Sequence, residues 1–191
     1  MSRHRPFAAA LVLALAAAAP AHAGMTLDQW RGHISFGYAR VVSDSLAPTG
    51  SLSVAGGVDY PLAPKWRLGP TLSFNLLGST NVTRGSVTAG LDYSLFEAAM
   101  LVTYLPQHGP FARLSAGPGI ASPRSDLSVA AGGAGFRDLP VSEVEPELAT
   151  DLTVMSRHTP IVGVGAELGM RIMPVHDRAW TLLTVRLAIH Y

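Results

Sequence analysis

Three features of the sequence predict an all-β chain folded as an antiparallel up-and-down transmembrane β-barrel of eight strands. Nearly every readable segment alternates apolar residues with small or polar ones at period two. Gly and Pro, 19 and 14 of the 191 residues, fall largely between those segments. The chain is also unusually apolar, with 48% hydrophobic and 14% charged residues, where a soluble domain carries about 25% charged.

Residues 1–23 read as a signal peptide. Arg3, His4 and Arg5 form a basic start, residues 7–19 an apolar run, and Ala21-His22-Ala23 a small-residue cleavage site ahead of Gly24. Residues 24–191 then form one domain, the barrel. Cleavage removes Arg3 and Arg5 from 14 Lys+Arg and leaves the 13 Asp+Glu, so the mature chain is close to neutral. That balance excludes nucleic acid as an expected partner. With no Cys, neither a disulfide nor a lipid-anchored cysteine is possible. No later segment has the ~18 consecutive apolar residues of a spanning helix.

The strands follow in order. Ile34, Phe36 and Tyr38 alternate with His33, Ser35, Gly37 and Ala39. Leu52, Val54, Val58 and Tyr60 oppose Ser53, Ala55, Gly57 and Asp59. Trp66, Leu68, Leu72, Phe74 and Leu76 oppose Arg67, Gly69, Thr71, Ser73 and Asn75. Phe96, Ala98, Met100, Val102 and Tyr104 oppose Glu97, Ala99, Leu101 and Thr103. Leu114, Ala116 and Ile120 oppose Arg113, Ser115, Gly117 and Gly119. A weaker segment sets Leu148, Leu152 and Val154 against Glu147, Ala149, Asp151 and Thr153. It is accepted over 147–155 because bacterial single-chain membrane barrels have even strand numbers. Val164, Ala166, Leu168, Met170 and Ile172 oppose Gly165, Glu167, Gly169 and Arg171. Last, Leu183, Val185, Leu187, Ile189 and Tyr191 oppose Thr184, Arg186, Ala188 and His190. Short turns are expected at 62–65, 106–109 and 156–160. Longer loops are expected at 43–50, 78–93 and 121–146, with 173–179 intermediate.

Two features decide what the faces touch. The polar face is mostly Gly, Ala, Ser and Thr, and the chain has a single lysine, Lys65. Small residues suit the crowded interior of an eight-stranded barrel, whereas a solvated sheet carries more charge. Aromatic residues also recur eight apart on apolar faces: Trp30 and Tyr38, Trp66 and Phe74, Phe96 and Tyr104. Eight residues at ~3.3 Å each, tilted by ~40°, rise about 20 Å. That approaches the ~25 Å apolar band of an outer-membrane barrel, flanked by aromatic girdles. Trp30, Tyr60, Trp66, Tyr104, Phe111 and Tyr191 are assigned to the short-turn rim, and Tyr38, Phe74, Phe96 and Trp180 to the other. The alternative, a soluble periplasmic barrel holding an apolar ligand, would turn the apolar face inward.

These strands, with the leader and the aromatic C-terminal strand, resemble the small OmpA/OmpX-type outer-membrane barrels over most of residues 30–191. The resemblance implies a bacterial outer-membrane location among lipid and lipopolysaccharide. It also implies that Val185, Leu187, Ile189 and Tyr191 match the terminal-strand signal read by the barrel-assembly machinery. The family spans structural barrels, adhesion proteins and a few lipid-modifying enzymes, so it does not supply a function.

Arg31, Arg67, Arg113, Arg171 and Arg186 fall on inward faces with Asp59, Glu97, Asp151 and Glu167. They are expected to pair and plug the lumen rather than line a pore. No catalytic, cofactor-binding or metal site is assigned, and a monomer is expected. Ser156-Arg157-His158 with Glu143, Glu145 or Glu147 would be the ingredients of a lipid A-modifying hydrolase, but nothing orders them as nucleophile, base and orienter. His33 and His190 lack metal-ligand spacing. Gly132-Gly133-Ala134-Gly135 lacks the strand-to-helix setting of a phosphate loop, and Asn81-Val82-Thr83 is a chance sequon. Residues 121–146, with Arg124, Asp126, Arg137 and Asp138, are the expected site for an extracellular partner.

Overall fold

The computed structural model describes residues 30–43, 50–106, 111–131, 134–137, 141–142, 144–157, 162–175 and 178–191. The leader with its cleavage site, the Phe111 and Arg157 side chains, the 132–133 glycines, Asp138, Glu143 and His158 lie outside the described residues.

The strands are β1 (Arg31–Val41), β2 (Ser51–Ala63), β3 (Trp66–Arg84), β4 (Val87–Tyr104), β5 (Phe111–Ala131), β6 (Ala134–Arg137), β7 (Val141–Ser142), β8 (Glu145–Arg157), β9 (Gly163–Val175) and β10 (Arg178–His190). Eight of them, all but β6 and β7, form a closed antiparallel sheet in which each pairs with its sequence neighbour and β10 returns to β1. The weakest expected strand is present: β8 pairs with β5 through Leu114↔Leu152 and with β9 through Leu152↔Leu168. Closure leaves no open edge around the barrel, the condition for a sheet in hydrocarbon.

Two expected loops are strand instead. β3 and β4 stay paired out to Arg84↔Val87, so residues 78–93 form a hairpin that continues the barrel wall. Its two-residue turn has Gly85 at φ +61, the left-handed geometry such turns require. A bulge at Leu76/Gly78, with Gly78 at φ +91, re-aims the strand on the way. Likewise β5 runs through 121 to Ala131 and pairs with β4, then with β6 and β7, so much of 121–146 is sheet. These stretches extend a ladder already in register, so each added pair closes little extra loop and costs little extra entropy.

The faces sort as the alternation predicts. Leu52, Val54, Leu72, Phe74, Phe96, Leu114, Leu148, Leu168, Val185 and Leu187 lie 44–55% exposed around the outside. Ser35, Ser53, Thr71, Ser73, Asn75, Thr103, Ser115 and Thr153 are buried inside. Polar in and apolar out over most of the wall is the reverse of a water-soluble fold. At the short-turn rim Trp30 packs on Tyr60 with ring centres 5.7 Å apart, and Trp66 on Tyr104 at 5.0 Å. Tyr38, Phe74 and Phe96 stand outward at the other end.

Trp180 does not join them. It is buried inside the barrel, because it shares parity with Leu182, Thr184 and Arg186 on β10 and strand geometry fixes that side.

Candidate functional site

The lumen is built in two layers. The layer toward the short turns is a network of charged side chains placed by strand parity. Arg67 donates to Asp59 at 2.9 Å between neighbouring strands, and Arg113 reaches the same carboxylate across the lumen from β5. Arg186 meets Glu167 at 2.9 Å and also donates through Nε to Ser53 Oγ at 2.8 Å, from β10 to β2. Arg171 pairs with Asp151 at 2.8 Å and lies 3.8 Å from Glu97 on the far wall. Ser73 and Asn75 donate to Glu97, the latter at 2.7 Å, and Ser35 donates to Glu167 at 3.1 Å. Several of these links join strands that are not sheet neighbours, so they brace the barrel across its width.

Of the five expected arginines, four enter this network. Arg31 stands at the rim, exposed, and donates to the Trp30 carbonyl at 3.3 Å. Glu147, placed on the polar face of the eighth strand and also weighed as a hydrolase carboxylate, has its side chain buried in the lumen. Its parity with Ala149 and Asp151 was the available signal. Its carboxyl abuts that of Glu97, and neither Glu147 oxygen has a hydrogen-bond partner among the described residues.

The two histidines do come together. His33 and His190 stack with ring centres 5.4 Å apart, and His190 Nδ1 lies 2.7 Å from Arg113 Nη1. They border a cavity of only ≈ 20 Å³ lined by Asp59, Thr71, Thr103 and Ser115, room for about one water. Among the described residues no cluster of three metal-ligating side chains occurs.

The second layer is apolar and the sequence analysis missed it. Ala39, Val41, Leu77, Leu95, Ala121, Met173, Trp180 and Leu182 form one buried cluster, with Tyr93 packed against it. They come from β1, β3, β4, β5, β9 and β10, so they make a collar across the loop end of the lumen. Leu77 continues the inward parity of Ser73 and Asn75 on β3. Ion pairs fill one layer and hydrocarbon the other.

No family model matches the chain, and no curated protein matches it. Solved structures do. Ail, the attachment invasion locus protein of Yersinia pestis, in complex with the heparin analogue sucrose octasulfate, is similar with a TM-score of 0.55 and 12% identity, over 85% of this chain and 99% of that one. Neisserial surface protein A is similar with a TM-score of 0.52 and 13% identity, over 85% and 96%. The fold is therefore that of the small eight-stranded outer-membrane barrels, as the strand pattern and C-terminal aromatic strand suggest.

Proposed function

We propose that this chain is a bacterial outer-membrane protein with a structural or surface-interaction role, without catalysis or cofactor, and with a lumen closed by its own side chains. The observation that carries the reading is the inversion of the fold, with apolar side chains around the outside and Arg–carboxylate pairs within. Exposed leucines in a continuous belt are stable only against lipid. In this reading residues 1–23 direct export and are cleaved. The Val185–Leu187–Ile189–Tyr191 face is offered to the assembly machinery, and the finished barrel is a monomer among lipid and lipopolysaccharide.

Interaction would fall to the loop end, where β3, β4 and β5 continue past the belt and are joined by β6. A rigid projecting sheet is a better platform for an extracellular partner than the loops expected at 78–93 and 121–146. The similarity in fold to an attachment protein supports this role.

Cell fractionation with an unboiled denaturing gel tests the proposal. The mature protein is expected in the outer-membrane fraction, running as a compact band that shifts on boiling. A protein that remains freely soluble without detergent would sink the reading.

A further inference from the structure

On the outer face the belt ends in a row-by-row change of chemistry. Phe74, Phe96 and Ser122 stand side by side across β3, β4 and β5, in the registers Phe74↔Phe96 and Phe96↔Ser122. The next outward row toward the loops is Leu76, Ser94 and Arg124, and the one beyond holds Asp92 opposite Asp126. Between these rows lies an open groove of ≈ 330 Å³, floored by the two Phe rings and rimmed by Ser94, Ser122, Arg124 and Asp126. Arg124 is exposed and has no side-chain partner among the described residues, unlike every arginine of the lumen network.

We propose that this groove seats the phosphorylated headgroup of a lipid in the surrounding leaflet, its phosphate on Arg124 and an acyl chain descending over Phe96 and Phe74. The inference rests on the membrane reading above and adds a specific ligand to it. Three observations select that occupant. A guanidinium at the end of an apolar belt is placed where lipid phosphates lie, and its fork matches phosphate oxygens. Ser94 and Ser122 flank it with hydroxyl donors. Asp92, exposed one row further out, repels an anion there, so the phosphate is confined to the Arg124 row. The aromatic floor gives the chain below an apolar wall, which a free ion would not use.

The test is a native mass-spectrometry titration of the detergent-purified barrel, after its heat-shifted gel band has shown that it is folded. The probes are bisphosphorylated lipid A and the same lipid with its phosphates removed. Wild type is expected to retain the phosphorylated lipid, and Arg124→Ala to weaken retention by about tenfold, the worth of one charge-assisted contact. Arg124→Lys is expected to recover part of the loss, and Arg84→Ala at the hairpin tip to behave as wild type. Equal retention by Arg124→Ala, or equal retention of the phosphate-free lipid, overturns the proposal while leaving the membrane reading intact. Competition by millimolar inorganic phosphate would mean a free-anion site and overturns the lipid assignment. A wild-type chain that shows no heat-shifted band and needs no detergent defeats both readings.

Discussion

Arg171 and Asp151 form a two-pronged pair inside the barrel, Nη1 to Oδ1 at 2.8 Å and Nη2 to Oδ2 at 3.0 Å, with both side chains buried. Paired groups in such a setting are costly to separate, because the survivor keeps its charge without its partner. Asp151→Ala is therefore expected to lower stability by about 3–5 kcal/mol. Replacing both, Asp151→Leu with Arg171→Met, should cost much less. Urea unfolding of the barrel in lipid vesicles measures both. A double variant as damaged as the single one would contradict the account.

Glu147 gives the opposite sign. Its carboxyl lies against that of Glu97, and no other side chain among the described residues donates to its oxygens. Glu147→Gln keeps the shape and places an amide donor against Glu97 Oε1. Where both carboxyls are ionised, at alkaline pH, stability is expected to rise by about 1–3 kcal/mol, the usual penalty of an unsatisfied buried polar group. At acid pH, where a shared proton links the pair, it should change little. The same unfolding assay would refute this if the variant were destabilised.

The belt makes a positional prediction. Leu187 is 54% exposed at the centre of the outward run Leu183, Val185, Leu187, Ile189 and Tyr191, so Leu187→Arg should cost about 2–4 kcal/mol if that face meets the bilayer core. The same substitution at Leu62, at the turn end of the belt, should cost ~0–1 kcal/mol. Equal effects at the two positions would argue against a lipid boundary.

Conductance tests the two lumen layers together. In planar bilayers the wild type is expected to show no large, steady current. Arg113→Ala removes a cross-lumen brace but leaves the collar, and Trp180→Ala opens the collar but leaves the ion pairs. Neither alone should conduct, and the two together should. A steady wild-type current would show that the lumen is open.

Most of this architecture was legible because a strand has only two sides. Once Arg186 and Arg171 are assigned inward, every second residue follows, which is why even the weak segment at 147–155 and the paired charges were recoverable. The misreadings came from abandoning that rule or from events it cannot see. Trp180 was sent outward on its aromatic character against its parity with Leu182. The collar escaped because its residues sit just past the segment ends drawn at Leu76, Phe96 and Ile172: Leu77 follows Ser73 and Asn75, Leu95 precedes Glu97, and Met173 follows Arg171, all by plain alternation. The outer halves of β3, β4 and β5 were taken for loops because their outward faces turn polar beyond the belt, and water-exposed strand lacks the apolar stripe by which strands are recognised. The Arg124 groove belongs to no single segment. It exists only because three registers bring one row of each strand to the same height.

The pairing of β1 with β10 carries a last consequence. Nine register pairs run from His33↔His190 to Val41↔Leu182, and Gly32 and Tyr191 exchange backbone hydrogen bonds of 2.8 and 2.9 Å just beyond. The two partners stand at opposite ends of the described chain, so the sheet completes its circle only when the last strand arrives. Until then β1 and the newest strand each expose a row of bare amides and carbonyls, which hydrocarbon does not tolerate. A partly closed barrel is thus not a less stable version of the finished one; in the membrane it has no resting place. Folding of this chain should be all or nothing with respect to its final dozen residues, and any assistance it receives has to hold both edges at once.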